Sequence, residues 1–340
     1  MKELITARRL FDEFNFGLNV NFADSMLGCF FEIHCDNTNW NSIALQPYLS
    51  LIEALLSRDD LQVFFDKFGR RAGHAICSEL DDAAHNDILE NRRFPVTPES
   101  FRRPGKLWCL DFQANHGLFL EIIANSIQIF ANSATEVRYI RDKGRLNSVR
   151  SYNKNKLILL KRKVERRTSL LPPIDLFRDA HPFQKEIESK FLTYTFSGRL
   201  LKFLSQNKFH SILSIATISE RIKYSIALGQ FKIYLNEQNE IVGYLSWMWG
   251  DKTTDEANNF RRPTHLHDWN DGRTFFVADV VSRLEWQHQV FDDLAHNLFP
   301  EINEIGFLPL EGSNTWQVYS RDREQDLREI NRFIQVVENW

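Results

Sequence analysis

The chain has 340 residues with 43% hydrophobic and 26% charged side chains, the balance of a globular protein with a substantial core. A formal net charge of −3 gives no general attraction to nucleic acid or anionic membrane, and no apolar run nears the roughly 20 residues that span a bilayer. The opening Met1-Lys-Glu-Leu-Ile-Thr-Ala-Arg-Arg9 is charged and lacks an apolar signal stretch, so the expected place is the cytoplasm, without stable membrane insertion.

Residues 1–25 carry no clear pattern. Leu27-Gly28 then leads through a Cys/Phe segment to Trp40. A helix is expected next, with Ile43, Leu45, Tyr48, Leu49, Ile52, Leu55 and Leu56 near helical spacing. Leu61–Phe68 and Ala72–Cys77, joined by Gly-Arg-Arg, read as a β-hairpin. A long polar stretch over 78–104 ends at Gly105-Lys-Leu-Trp-Cys-Leu-Asp111. Phe119, Ile122, Ile123, Ile127 and Phe130 predict a helix, and 136–141 a strand. Cys29, Cys35, Cys77 and Cys109 fit neither a zinc nor a disulfide framework and read as reduced core residues.

Lys161-Arg-Lys-Val-Glu-Arg-Arg167 is a basic run, and Pro172-Pro173 after it breaks any helix and marks a linker. Beyond it the same order returns. Ser197-Gly198 leads to Asn207-Lys-Phe-His210, then to a helix with Ile212, Ile215, Ile218, Ile222 and Ile226. Phe231–Leu235 and Ile241–Trp247 form the second hairpin. A polar loop over 250–271 runs into Gly272-Arg-Thr-Phe-Phe-Val-Ala-Asp279. Leu284, Val290, Phe291, Leu294 and Leu298 predict a helix, with a strand from Glu304.

The anchors recur at nearly fixed offsets. Gly28 and Gly198, Trp40 and His210, and Gly73 and Gly243 lie 170 apart. Asp111 and Asp279, Glu136 and Glu304, and Gly144 and Gly312 lie 168 apart. A fixed offset is the mark of duplication. The expected organisation is an N-terminal domain over 1–157, a linker over 158–185 and a C-terminal domain over 186–340.

Asp279 stands in the middle of an apolar strand, where an ionised carboxylate is costly unless a charged or hydrogen-bonding group meets it. His210 is the candidate partner. Gly198, His210, Val242-Gly-Tyr-Leu-Ser-Trp247 and Gly272–Asp279, in that order, resemble the toxin-activating lysine acyltransferases, which fatty-acylate internal lysines of RTX haemolysins. The resemblance covers 190–320, and more weakly 20–150. It implies an α/β (α+β) chain of two tandem GNAT-like domains, each a mostly antiparallel mixed sheet flanked by helices. It further implies transfer of an acyl chain from an acyl-carrier-protein thioester, ahead of acyl-CoA, to a lysine amine of a protein or precursor peptide.

Carried over by position, His210 and Asp279 become the catalytic pair, with His210 as general base and Asp279 assisting. Asn207, Tyr244, Ser246, Trp247, Arg273 and Phe276 become the substrate-binding set. No permanently bound cofactor, metal or nucleic acid is expected. Trp40 stands where the first copy needs its His, so that copy is expected to be degenerate, with His34 a weak substitute by register shift. Two other classes stay open: a non-catalytic adaptor of two degenerate domains, and an acyl-CoA-dependent enzyme acting on a small amine.

Three further signals carry less. Arg70-Arg-Ala-Gly-His-Ala75 fits an Arg-x-x-Gly-x-Ala phosphate loop, but a hairpin strand has its N–H groups in the ladder. The basic 161–167 run is a solvated face or a docking patch for an acidic carrier protein. His265 and His267 are expected to be loop residues. His74, His85, His116, His181, His288 and His296 read as surface or satisfied core positions.

Overall fold

The computed structural model describes residues 21–35, 40, 42–66, 70–91, 97–101, 105–115, 136–141, 148–153, 155–160, 184–250, 269–270, 272–307 and 317–337, with isolated positions at 5, 6, 8, 122, 123, 125, 126 and 162. The described chain holds two mixed sheets with helices against them, an α+β architecture. By internal contacts it divides into one unit of Met1–Gly28 with Pro47–Gly198 and another of Cys29–Gln46 with Arg199–Trp340. The division falls inside three helices, α1 (Phe22–His34), α2 (Leu45–Ser57) and α4 (Gln184–Ser205).

The first sheet runs in the order β1 (Ile5–Thr6), β2 (Leu61–Phe65), β3 (Arg71–Leu80), β4 (Lys106–Ala114), β5 (Glu136–Arg141), β6 (Ser148–Asn153). β2 and β3 form the expected hairpin. The polar stretch over 78–104 contains regular structure. β3 continues to Leu80, and α3 (Asp82–Asn91) follows, burying Ala84, His85 and Ile88. Its low apolar content hid it. Trp108 Nε1–H donates to His85 Nδ1 at 3.3 Å, and burial holds the His85 pKa below its ordinary 6.5.

The second sheet runs β11 (Gln317–Ser320), β10 (Glu304–Phe307), β9 (Thr274–Arg283), β8 (Ile241–Gly250), β7 (Phe231–Leu235), and β12 (Gln335–Val337) also pairs with β9. Leu245, Trp247, Phe275, Val277 and Val280 point to one face, under Val290, Leu294 and Ile330. Those three come from α7 (Gln287–Asp292), the π-turn over 293–297 and α8 (Glu324–Phe333). On the other face Met248 and Phe276 pack with Trp269, Tyr224 and Leu228. Tyr224 and Leu228 belong to α6 (Ile215–Leu228), which Ser214 caps by accepting from Thr217 N and Gly229 ends at φ 65°. Ile212 is therefore not on the helix; it precedes the cap and is 72% exposed.

Gly28 and Gly198, read as chain segments leading into each repeat, lie within α1 and α4. A Cβ on Gly28 would lie 2.0 Å from Tyr194 O, and one on Gly198 2.0 Å from Asp24 O. Ser25 Oγ and Thr195 Oγ1, 170 positions apart, meet at 2.6 Å between them. Glycine in a helix ordinarily costs about 1 kcal/mol relative to alanine. Here the sign reverses: Gly28→Ala should destabilise the chain by about 1–3 kcal/mol, through forced separation of two backbones. Urea denaturation of the variant checks this, and a gain in stability would show that the helices can part freely.

A second set of paired contacts lies in the other unit. Leu45 N donates to Leu213 O at 2.8 Å and Ile215 N to Ile43 O at 2.9 Å, around an Ala44–Ser214 bridge. Among the described residues no helix is long and apolar enough to cross a membrane. The expected helix over 119–130 is seen only at 122, 123, 125 and 126, and His116, His181, His265, His267, Gly144, Gly312 and most of the 161–167 run lie outside the described residues.

Candidate active site

Asp279 is aimed by a β-bulge. On β8 and β9, Ser246 lies opposite Asp279 while the next pair is Trp247 and Val277, so Ala278 is the extra residue. A bulge breaks the two-residue alternation and re-aims the side chains beyond it. Asp279 is thereby turned to the α6 face. The other edge of β9 is shared. Residues 275–277 pair in parallel with β10, and 281–283 in parallel with β12. Among the described residues no strand pairs with 278–280 on that side, so the carboxylate stands at the fork of the sheet.

His210 comes from a one-turn helix, α5 (Lys208–Ser211), whose geometry Asn207 sets. The Asn207 side-chain oxygen accepts from the backbone N–H groups of Phe209 and His210 and also meets His210 Nδ1 at 2.9 Å. Its Nδ2 donates to Val336 O on β12 at 3.2 Å. These bonds orient the amide, so Nδ1 of His210 must carry a proton and donate. Nε2 then faces Asp279 Oδ1 at 3.1 Å. The His210 side chain is fully buried and that of Asp279 is 2% exposed.

A third group, a guanidinium, completes the cluster. Arg221, on α6, donates from Nη1 to the same Asp279 oxygen at 2.6 Å and is itself 7% exposed. Its guanidinium lies 5.3 Å from the Phe209 ring centroid. The sequence reading missed it. The signal was present, because Arg221 sits three residues after Ile218 and beside Ile222, on the stripe that the helix buries. An arginine there needs a buried anion, and the chain had one to offer. The guanidinium supplies the counter-charge that a buried carboxylate at this position requires.

The predicted substrate set separates. Asn207 is a buried anchor for His210, and Ser246 is buried opposite Asp279. Tyr244 is fully buried, with its hydroxyl 3.0 Å from Ser225 Oγ, and burial pushes its phenol well above the usual 10, so it remains neutral. Trp247 is turned to the opposite face of the sheet and packs edge-on against Phe299. Phe276 lies on the Asp279 face but within the Met248–Trp269 cluster, and Gly306 is built against it. Arg273 is exposed at the start of β9. The structure thus brings Asn207, His210, Tyr244, Ser246 and Asp279 together, adds Arg221, and leaves Trp247, Phe276 and Arg273 elsewhere.

The first unit has an acid in the same setting. Ile76 lies opposite Asp111 while the next pair is Cys77 and Cys109, the same bulge at the same step of the hairpin. His74, read from the sequence as a surface or core position, meets it: Nε2 is 2.9 Å from Asp111 Oδ2. Trp40 is buried and stacks on His34, with ring centroids 4.3 Å apart and 3° between planes. The Cys77 thiol is pushed up by contact with Cys109 and by burial, so it is protonated and unsuited to nucleophilic attack.

Residues 192–326 match the HlyC family, described as the RTX toxin acyltransferase family. The match spans Asn207, His210, Arg221 and Asp279 and leaves the first half of the chain uncovered. No curated protein matches the chain.

Proposed function

We propose that this chain, which carries an RTX toxin acyltransferase family domain over residues 192–326, moves a fatty acyl group from an acyl-carrier-protein thioester to a lysine amine of a protein or peptide. The observation that carries the reading is the meeting of His210, Asp279 and Arg221 at the sheet fork. A thioester is attacked only by a neutral amine, whereas a lysine is mostly protonated at pH 7. With Nδ1–H committed to Asn207, the position that takes a proton is the contact between His210 Nε2 and Asp279 Oδ1. The amine nitrogen bonds the carbonyl carbon, the carbon–sulfur bond breaks, and the amine proton passes by Nε2 to the departing thiolate.

Asp279 counters the charge the ring gains, and Arg221 supplies that carboxylate's counter-charge and fixes its direction. Because Nε2 faces Asp279, the amine enters beside the carboxylate. Backbone N–H groups beside the fork are the donors we assign to the oxyanion of the tetrahedral intermediate, where one donor is typically worth ~10²–10³ in rate. The carrier protein is acidic as a class, which suits the basic run over 161–167.

The donor is tested by incubating the chain with acyl-carrier protein or acyl-CoA and lysine-containing peptides, read by intact mass. A mass gain of one acyl chain from the carrier-protein donor is the expected result. Transfer from acyl-CoA to a small amine alone would favour the coenzyme-dependent enzyme. No transfer from either donor would favour an adaptor.

A further inference from the structure

We propose that the His74–Asp111 pair of the first unit is a second acyl-transfer centre, an inference that rests on the acyl-transfer reading of the chain. The two acids share their surroundings. Each lies at the bulge of its hairpin's next strand, opposite Ile76 or Ser246. Each follows a short parallel pairing that stops two residues before it, at Cys109 on β4 and at Val277 on β9.

What meets the acid differs. At the offset of 170 the first half has Trp40 for His210 and Leu51 for Arg221, so neither partner of Asp279 is encoded there. At the same offset, Tyr244 is replaced by His74, and it is this imidazole that reaches Asp111. A single change of Asp111 to an apolar residue would have removed the cost of its burial. Exchanging a buried ion pair for apolar residues is often neutral or stabilising by about 1–4 kcal/mol. The His74–Asp111 pair is therefore poorly explained by stability and better explained by use.

The geometry supports that use. The His74 ring is fully buried, as His210 is, but the Asp111 side chain is 13% exposed against 2% for Asp279. Its Oδ1 accepts from Phe112 N at 2.8 Å, so the carboxylate is held at both oxygens and oriented. Nε2–H of His74 donates to Asp111, which makes Nδ1 the proton-accepting atom. The reverse holds for His210, where Nδ1 is the donor. At the second centre the amine nitrogen bonds the thioester carbonyl carbon and the carbon–sulfur bond breaks. The amine proton passes by His74 Nδ1 to the thiolate, with Asp111 countering the charge.

The test uses the full chain with acyl-carrier-protein donor and a lysine peptide. H210Q/D279N disables the second unit, and adding H74Q/D111N disables both. H210Q/D279N should keep transfer at least about tenfold above the four-residue variant, a difference that a merely structural pair would not produce. Should the four-residue variant fail to fold by near-ultraviolet circular dichroism, the isosteric D111N alone in the H210Q/D279N background gives the same comparison. Equal, background-level transfer in both would overturn the second centre while leaving the first intact. A wild-type chain without any transfer would instead overturn the acyl-transfer reading, and the second centre with it.

Discussion

Arg221→Leu, which installs the residue found 170 positions earlier, should destabilise the second unit by about 3–5 kcal/mol. Leucine fits the apolar stripe of α6, so burial of the side chain itself is favourable. The loss comes from Asp279, whose side chain is 2% exposed and which would lose the guanidinium beside it. Removing one partner of a buried pair leaves the other charge uncompensated, and that penalty outweighs the hydrophobic gain of one leucine, about 1.5–3 kcal/mol. Urea denaturation followed by tryptophan fluorescence measures it. Arg221→Leu combined with Asp279→Leu should recover most of the loss, because the anion is gone. A single variant as stable as the wild type would show that Asp279 does not depend on Arg221.

His210→Gln should lower acyl transfer by ~10²–10⁴, the range expected for loss of a positioned general base. Glutamine approximates the imidazole in reach and can hydrogen-bond Asn207 and Asp279, so the fold should survive. Trp40→Ala is the matched comparison from the first half. It empties a buried, stacked site and should cost stability while leaving chemistry at His210 in place. Rates from single turnover with saturating donor distinguish the two variants. Undiminished transfer by His210→Gln would remove the base from the account.

Much of this was legible because burial and charge conflict openly in the sequence. An acid in an apolar strand announces itself, and a His on a polar turn before an amphipathic helix was its evident partner. Hairpins and the helix carrying Ile215, Ile218, Ile222 and Ile226 followed from period and punctuation, though the start at Ile215 rather than Ile212 did not. What stayed hidden depends on register. The bulge at Ala278 decides which face Asp279 takes, and no residue type marks it. His74 and Asp111 lie 37 positions apart on neighbouring strands, so their contact emerges only once the pairing is fixed. Trp247 and Phe276 entered the substrate-binding set by position in the motif, and each is packed into one of the sheet's two cores. Gly28 and Gly198 carried a helix-crossing requirement that reads, from sequence, as a chain break.

Acyl transfer, as proposed, falls to the cluster at the fork of the second sheet. Its most direct test is the single-turnover rate of Asp279→Asn, nearly isosteric, with acyl-carrier-protein donor and a lysine peptide. The account predicts a fall of at least ~10²-fold with the fold retained, since Asn can neither counter the imidazolium nor pair with Arg221. A rate equal to the wild type would place the chemistry elsewhere.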